Sequence, residues 1–393
     1  MKHHLKSVGL VELNDHGWTG GVHFIRLLAQ SLDNACREAG VELRLLTDRA
    51  PNGEKPVLDD IHRVVTVKPR THIRGKKFLK GLLQLPHGSD LLETAHENDI
   101  DLLLPLLSIP DGLRDLRTIG WIPDFQHVHL PGYFSEADRE ARDSRFQLLA
   151  ERATLVMLTS EAARKDFAAF TPVHAHKARV ISFPSSIAPK MLIGDPRAVV
   201  KKFHLPEKFA LVSNQFWRHK NHEVVVEAIA SLRRKGLRIP VVMTGLPADY
   251  RDPVNQVLSR TLQAIACAGL GDQVILLGFA PEQEAIALMR AAALVIQPSR
   301  FEGWSTIVQN TKALGRPILC SDIPAHREQA PRALGFFSCD RPDMLADLLA
   351  ECWPRLQPGP DLELERGSVA AEQEAVKQYG QNILKLCLET FQL

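Results

Sequence analysis

The sequence predicts an α/β protein of two Rossmann-like units in tandem, each a parallel sheet with crossover helices. Three observations carry this reading. Short apolar runs of strand length recur between longer segments of helical period, the second half repeats the pattern of the first, and the stretch joining them has only turn chemistry. The chain has 393 residues, 45% hydrophobic and 24% charged, an ordinary globular composition with room for two domains.

In the first half the strands are expected at Ser7–Leu13, Val41–Leu46, Leu102–Leu107, Thr118–Ile122, Leu155–Thr159 and Arg179–Phe183. Phe24, Leu27, Leu28 and Leu32 mark one face of the first helix. The second half offers Phe209–Ser213, Ile239–Thr244, Val274–Gly278, Leu294–Gln297 and Pro317–Ser321, each followed by a turn and a helical stretch such as Glu223–Leu232. Phe183-Pro184-Ser185-Ser186, Pro189 and Pro196 set the hinge near residues 184–200. The expected domains are residues 1–190 and 191–366. A terminal helix within 367–393, helical in spacing from Ser368, follows the Pro/Gly-rich stretch Pro354–Gly359.

A net charge of +2 and a pI near 8.2 show no global commitment to nucleic acid, and none is expected as a partner. Cysteines 36, 267, 320, 339, 352 and 387 never form C-x-x-C, which argues against a zinc module or a disulfide framework and fits a reducing cytoplasm. Met1–Leu13 lacks the apolar core of a signal peptide, and no run approaches the roughly 20 apolar residues that span a bilayer. A soluble, cytoplasmic protein is the expectation.

In open parallel sheets the loops after strands meet ligands, and helix N-termini there favour phosphate. Four such loops carry candidate chemistry. Gln297-Pro298-Ser299-Arg300-Phe301-Glu302-Gly303-Trp304-Ser305-Thr306-Ile307 follows an apolar strand and can aim Glu302 at sugar hydroxyls, while the N–H groups of Gly303, Trp304 and Ser305 meet a diphosphate. Taken alone, Glu302 reads equally as a solvated loop carboxylate. Ser213-Asn214-Gln215-Phe216-Trp217-Arg218-His219-Lys220 places Lys220 and Arg218 at a helix entrance, suited to phosphate or to a solvated face. Trp18-Thr19-Gly20-Gly21 permits close backbone approach to a ligand or a plain tight turn, and is not the dinucleotide fingerprint G-x-G-x-x-G. In Trp121-Ile122-Pro123-Asp124-Phe125-Gln126-His127, Asp124 and His127 can orient acceptor hydroxyls or move protons. Equally, Asp124 can cap the next turn and His127 can be a satisfied buried histidine.

Together these stretches resemble the large family of retaining GT-B glycosyltransferases, the glycosyl transferases group 1, marked by a glutamate, seven residues and a second glutamate. The likeness is strongest between Val295 and Pro324, in P-S-R-F-E-G-W-S followed by K-A-L-G-R-P-I-L-C-S-D-I-P. The resemblance implies a GT-B fold, two Rossmann-like domains facing a central cleft, with the terminal helix crossing back to the first. It implies metal-independent, cofactor-free transfer of a hexose-type sugar, mannose among the options, from a nucleotide-diphosphate sugar. The acceptor would be a glycan or lipid-linked glycan of bacterial surface polysaccharide, lipopolysaccharide included. Glu302 would contact the sugar, Gly303, Trp304, Ser305 and Thr306 would hold the diphosphate, and Lys220 would pair with the phosphates. Phe279, beside Gly278, would lie near the base, and Gly20 and Gly21 would face the diphosphate.

Three positions depart from the family pattern. Asn310 stands where the second glutamate would bind ribose, and an amide is the poorer acceptor for paired hydroxyls. Gln215 stands where arginine is frequent, so Arg218 would supply the charge. Pro123 stands where many relatives carry histidine, and His127 is the substitute. Asn310 and Gln215 keep open a catalytically silent binding or scaffold protein on the same fold, and a second rival keeps the enzyme but changes the reaction, to a nucleotide-sugar epimerase of GT-B type.

Asp99-Ile100-Asp101 spells the D-x-D of metal-dependent enzymes but reads as the start of a strand, and no histidine pair has a third ligand at zinc spacing, so no metal site is assigned. Lys68, Arg70, Arg74, Lys76, Lys77 and Lys80, followed by Leu82, Leu83 and Leu85, suit peripheral contact with an anionic membrane or a solvated basic loop.

Overall fold

A computed structural model describes residues 5–12, 19–47, 64–67, 88–113, 115–185, 187–247, 249 and 251–393. Trp18 and the basic stretch Lys68–Lys80 lie outside the described residues.

Two parallel sheets organise the chain. The first has the strands β1 (Ser7–Val11), β2 (Glu42–Thr47), β3 (Val64–Thr66), β4 (Leu102–Leu106), β5 (Arg117–Trp121), β6 (Leu155–Leu158) and β7 (Ala178–Val180), in the order β3-β2-β1-β4-β5-β6-β7. The second has β8 (Ala210–Ser213), β9 (Val241–Thr244), β10 (Val274–Gly278), β11 (Leu294–Gln297), β12 (Ile318–Ser321) and β13 (Gly335–Phe337), in the order β10-β9-β8-β11-β12-β13. In each, the order reverses beside the first strand, between β1 and β4 and between β8 and β11. That reversal leaves a crevice at the strand C-termini.

Period-two side chains explain why these strands are apolar throughout. Ala210 and Val212 of β8 enter one buried cluster with Val241, Met243, Leu294 and Ile296, whereas Leu211 enters the opposite one with Val242, Val295 and Cys320. In the first sheet, Leu102 and Leu104 face one cluster and Leu103 and Leu106 the other. Helices cover both faces of the inner strands, which therefore lack the polar alternation of a half-exposed sheet, whereas β2, next to the edge, shows it at Glu42-Leu43-Arg44-Leu45. Pro105 interrupts β4, and the ladder to β5 shifts register between Leu103 and Leu106, as a residue without an N–H requires. Asp101 accepts the backbone N–H groups of Lys6 (2.8 Å) and Ser7 (2.9 Å), which gives the D-x-D aspartate a role in ordering the start of β1 beside β4.

The chain divides into two compact units, one comprising Met1–Val128, Ser135–Ser186 and Gln373–Leu393, the other His129–Phe134 and Ile187–Glu372. The sequence reading set the division after residue 190. The last helix, Leu362–Glu389, contributes to both. In the second unit its Glu365 pairs with Arg290 at 2.8 Å, both buried. In the first, Tyr379, Ile383 and Cys387 join the cluster of Ile25, Leu28 and Leu32 from the helix Thr19–Ala39. Beyond it, Arg117 donates to the Thr390 carbonyl at 3.1 Å and covers the Phe391 ring. Gly380 is what lets these two helices touch, because a Cβ there would collide with the Ser31 carbonyl. Gly380→Ala should therefore destabilise the protein by about 2 kcal/mol. A lowered midpoint in urea unfolding is the expected readout, and an unchanged one would contradict this close packing.

Candidate functional site

Lys220 and Glu302 are 82 residues apart and meet because β8 and β11 are neighbours in the second sheet. Lys220 ends the 3-10 turn Arg218–Lys220 after β8, and Glu302 lies in the loop after β11. Lys220 Nζ donates to Glu302 Oε1 at 2.6 Å, with the two side chains only 16% and 10% exposed. The pair thus sits where the strand order reverses.

Three devices hold the loops in register. Asn221 adopts left-handed backbone (φ 56°) and its Nδ2 donates to the carbonyls of Pro298 (3.2 Å) and Cys339 (2.9 Å). The Arg300 N–H donates to the His219 carbonyl at 2.7 Å. Gly245, at φ 155°, brings the end of β9 against Asn214, where a Cβ would collide with the carbonyl oxygen.

Behind the ion pair lies a buried polar cluster. Gln297, fully buried, ends β11 and accepts from Asn214 Nδ2 at 2.9 Å. Its Nε2 faces Glu302 Oε1 at 3.0 Å, Ser299 Oγ at 3.1 Å and Ser305 Oγ at 3.1 Å. Ser305 caps the helix Thr306–Ala313 by accepting from the Val308 N–H. From the β12 side, Gln329 accepts the Ser305 N–H at 3.0 Å and donates to the Ser305 carbonyl at 2.6 Å. Ser321 donates to the Ser299 carbonyl and lies 3.0 Å from His326 Nδ1.

Burial pushes the Glu302 carboxyl upward, but Lys220, His326 and hydrogen bonds from Lys220 and Ser299 outweigh it, leaving it below the ordinary carboxylate value. Burial holds His222 and His326 down to about 4 and His219 well below the usual imidazole value. Near neutrality the centre is therefore one cation, one anion and neutral imidazoles. His222 stacks on Phe216 with ring centroids 4.3 Å apart.

The other sequence-predicted residues fall in several places. Ser305 reaches Glu302 through Gln297, but its N–H is committed to Gln329 in this structure rather than open to a diphosphate. Gly303, Trp304 and Thr306 are half-buried around it. Thr306 and the buried Asn310 stand four apart on one face of the capped helix. Arg218 donates to the Gly132 carbonyl at 3.2 Å and lies 4.1 Å over the Tyr133 ring, engaged with the segment His129–Phe134 of its own unit. Gln215 is half-buried after β8, its carbonyl accepting from the Trp217 N–H. Phe279 is 60% exposed beyond the end of β10.

Asp124, His127, Gly20 and Gly21 belong to the first unit, whereas the Lys220–Glu302 centre is built wholly within the second. Asp124 accepts the Gln126 N–H at 2.9 Å, the capping role. His127 is buried beside Phe146, with Nε2 3.0 Å from Asp143 Oδ1, and burial lowers its pKa despite that carboxylate. Gly20 and Gly21 lie in the first turn of the helix Thr19–Ala39. Asn214, Gln297, Ser321, His326 and Gln329 had no assigned role in the sequence reading. For Asn214, Gln297 and Ser321 the signal was a polar side chain at the end of an otherwise apolar strand, whereas His326 and Gln329 lie on the helix Pro324–Gln329 and showed no such signal. Among the described residues, no group of three or more His, Cys, Asp and Glu side chains is placed to hold a metal ion.

Comparison with known proteins places this centre in a family. Residues 198–352, which include both Lys220 and Glu302, match the family Glycosyl transferases group 1. A D-inositol 3-phosphate glycosyltransferase of Corynebacterium urealyticum is 24% identical over 224 residues, which is 54% of this chain and about half, 52%, of the relative's length. Sucrose-phosphate synthase of Thermosynechococcus elongatus shares the fold with a TM-score of 0.67 at 16% identity, over 98% of this chain and 99% of that one. Anabaena HepE, solved in complex with UDP-glucose, does so with a TM-score of 0.64 at 17% identity, over 97% of this chain and 99% of that one. The architecture is that of GT-B glycosyltransferases.

Two predictions follow from the electrostatics. Removing one partner leaves the other charge buried and alone, so Lys220→Ala or Glu302→Ala should each destabilise by about 3 kcal/mol, with the double variant well short of the sum. Additive losses in a double-mutant cycle would show the pair to be uncoupled. The histidines give a pH dependence of defined sign. Folded His222 and His326 bind fewer protons than the unfolded chain between pH ~6.5 and pH about 4, so stability falls as pH drops through that window. Replacing both by Asn should flatten the fall in thermal midpoint there, and an unchanged slope would place the acid sensitivity elsewhere.

Proposed function

We propose that this protein is a retaining, metal-independent glycosyltransferase. It moves a hexose-type sugar from a nucleotide-diphosphate donor to a glycan or lipid-linked acceptor in bacterial surface polysaccharide synthesis. The observation that carries the reading is the Lys220–Glu302 pair at the reversal point of the second sheet, inside the domain that matches the glycosyltransferase family. The UDP-glucose complex of HepE supports a nucleotide sugar as donor. A cytoplasmic location, peripheral at an anionic membrane, belongs to the same reading.

In this mechanism the diphosphate draws Lys220 away from Glu302. The ammonium meets the charge that grows on the leaving group, and the released carboxylate accepts from hydroxyls of the transferred sugar. The bond from the anomeric carbon to the diphosphate oxygen breaks through an oxocarbenium-like state. The acceptor oxygen bonds that carbon from the same face, and its proton passes to the departing phosphate oxygen. No protein nucleophile is needed.

The test is thermal stabilisation across uridine, guanosine and adenosine diphosphates and their sugar nucleotides, with and without chelator, followed by product analysis with acceptor. A ligand of the native state raises the midpoint. One base should give a chelator-insensitive rise, with a further increment from the sugar. Glu302→Ala should lose that increment and lower transfer about 100-fold. A wild-type protein that no donor stabilises, and that forms no glycoside, would refute the proposal in favour of a silent scaffold.

A further inference from the structure

We propose that Gln297 is a positioning residue for Glu302, the group that keeps the carboxylate aimed when a donor diphosphate takes Lys220 away. The inference rests on the donor-site reading of Glu302 and adds a residue to it.

The argument starts from the orientation of one amide. Gln297 is fully buried, so each polar atom of its carboxamide needs a partner. Asn214 Nδ2 donates to Oε1 at 2.9 Å, which turns the NH2 end toward Glu302 Oε1 at 3.0 Å. The reversed amide would set two oxygens against one another at the carboxylate and two NH2 groups against one another at Asn214, so the orientation is fixed by its surroundings. Ser299 Oγ and Ser305 Oγ share the two hydrogens with the carboxylate, and only the carboxylate offers a charge-assisted bond.

Gln297 also stands on rigid ground. It closes β11, which is paired with β8 on one side and β12 on the other. Glu302 instead stands on a loop, held at Oε1 by Lys220 and Gln297. A diphosphate competes for Lys220, whereas Gln297 is uncharged and screened from the ligand by its burial. The carboxylate then keeps Gln297 as its donor at Oε1, beside the Ser299 hydroxyl, and Oε1 keeps its place.

Gln297→Met removes the donors at similar volume, and Gln297→Glu sets a second carboxylate beside the first. The first measurement needs no donor. In crystals without ligand, the Glu302 carboxylate should move relative to β11 between K220M and K220M/Q297M, since Lys220 holds Oε1 wherever it is present, and a carboxylate unmoved within coordinate error between the two would overturn the proposal. With the nucleotide that stabilises the wild type, Q297M should bind the nucleoside diphosphate within about twofold of wild type and lose most of the increment added by the sugar. In Q297E the acidic limb of the pH–rate profile should move up by a unit or more, because a neighbouring negative charge makes Glu302 harder to ionise. A purely structural role would lower the melting temperature of both variants and leave the sugar increment and the pH profile in place. Failure of the donor-site reading would show separately, as absence of stabilisation and transfer in the wild type, with the Glu302 position in K220M/Q297M against K220M still deciding the role of Gln297.

Discussion

A largely buried ammonium and a largely buried carboxylate must satisfy one another, and in this protein that requirement governs how the second sheet ends. The loops after β8 and β11 carry Lys220 and Glu302 to a distance of 2.6 Å, and the sheet reverses its order between those two strands. Neither charge can sit there alone, because the desolvation of each is offset only by the other and by the hydrogen bonds around them. The remaining features serve that fixed geometry. Asn221 in its left-handed turn ties the two loops together, and Gly245 allows β9 to close against Asn214.

The apolar strands and the polar cluster at their ends are two parts of one design. Helices cover both faces of the sheet, so the strands hold Val, Ile, Leu and Ala on alternate sides. At the C-terminal edge the backbone ladder stops, and the side chains of Asn214, Gln297 and Ser321 take over the hydrogen bonding. Such a cluster is rigid when its partners are matched and costly when they are not. Low polarity around it also keeps His222 and His326 neutral, so the charges near the centre are those of Lys220 and Glu302.

Most of this fold was legible because its strands are buried on both faces and therefore appear as continuous apolar runs. Val274–Gly278 and Leu294–Gln297 were read with their observed bounds, and the other runs shift by one to three residues at their ends. The edge strands Val64–Thr66 and Gly335–Phe337 were not read, since three residues define no period and only pairing to a neighbour makes them strands. Within the site, Lys220 and Glu302 stood out because charge beside a turn after a strand is visible locally. The commitment of the Ser305 N–H to Gln329, or of Arg218 to Tyr133, depends on residues 24 and 85 positions away, which no local pattern displays.

The amide at position 310 follows the same electrostatic logic. Asn310 is buried on the helix that Ser305 caps, the helix that begins four residues after Glu302. A second carboxylate at that depth would need its own cation or an ordered set of donors, and would add negative charge to a centre proposed to receive a diphosphate. With Asn310, Glu302 holds the formal negative charge next to Lys220, and binding of a phosphate has one carboxylate to displace instead of two to repel. An amide still offers a donor and an acceptor to hydroxyl groups, so recognition there passes from charge to hydrogen-bond geometry. In the proposed donor site, the strength of anion binding and the choice of nucleoside would then rest on different residues.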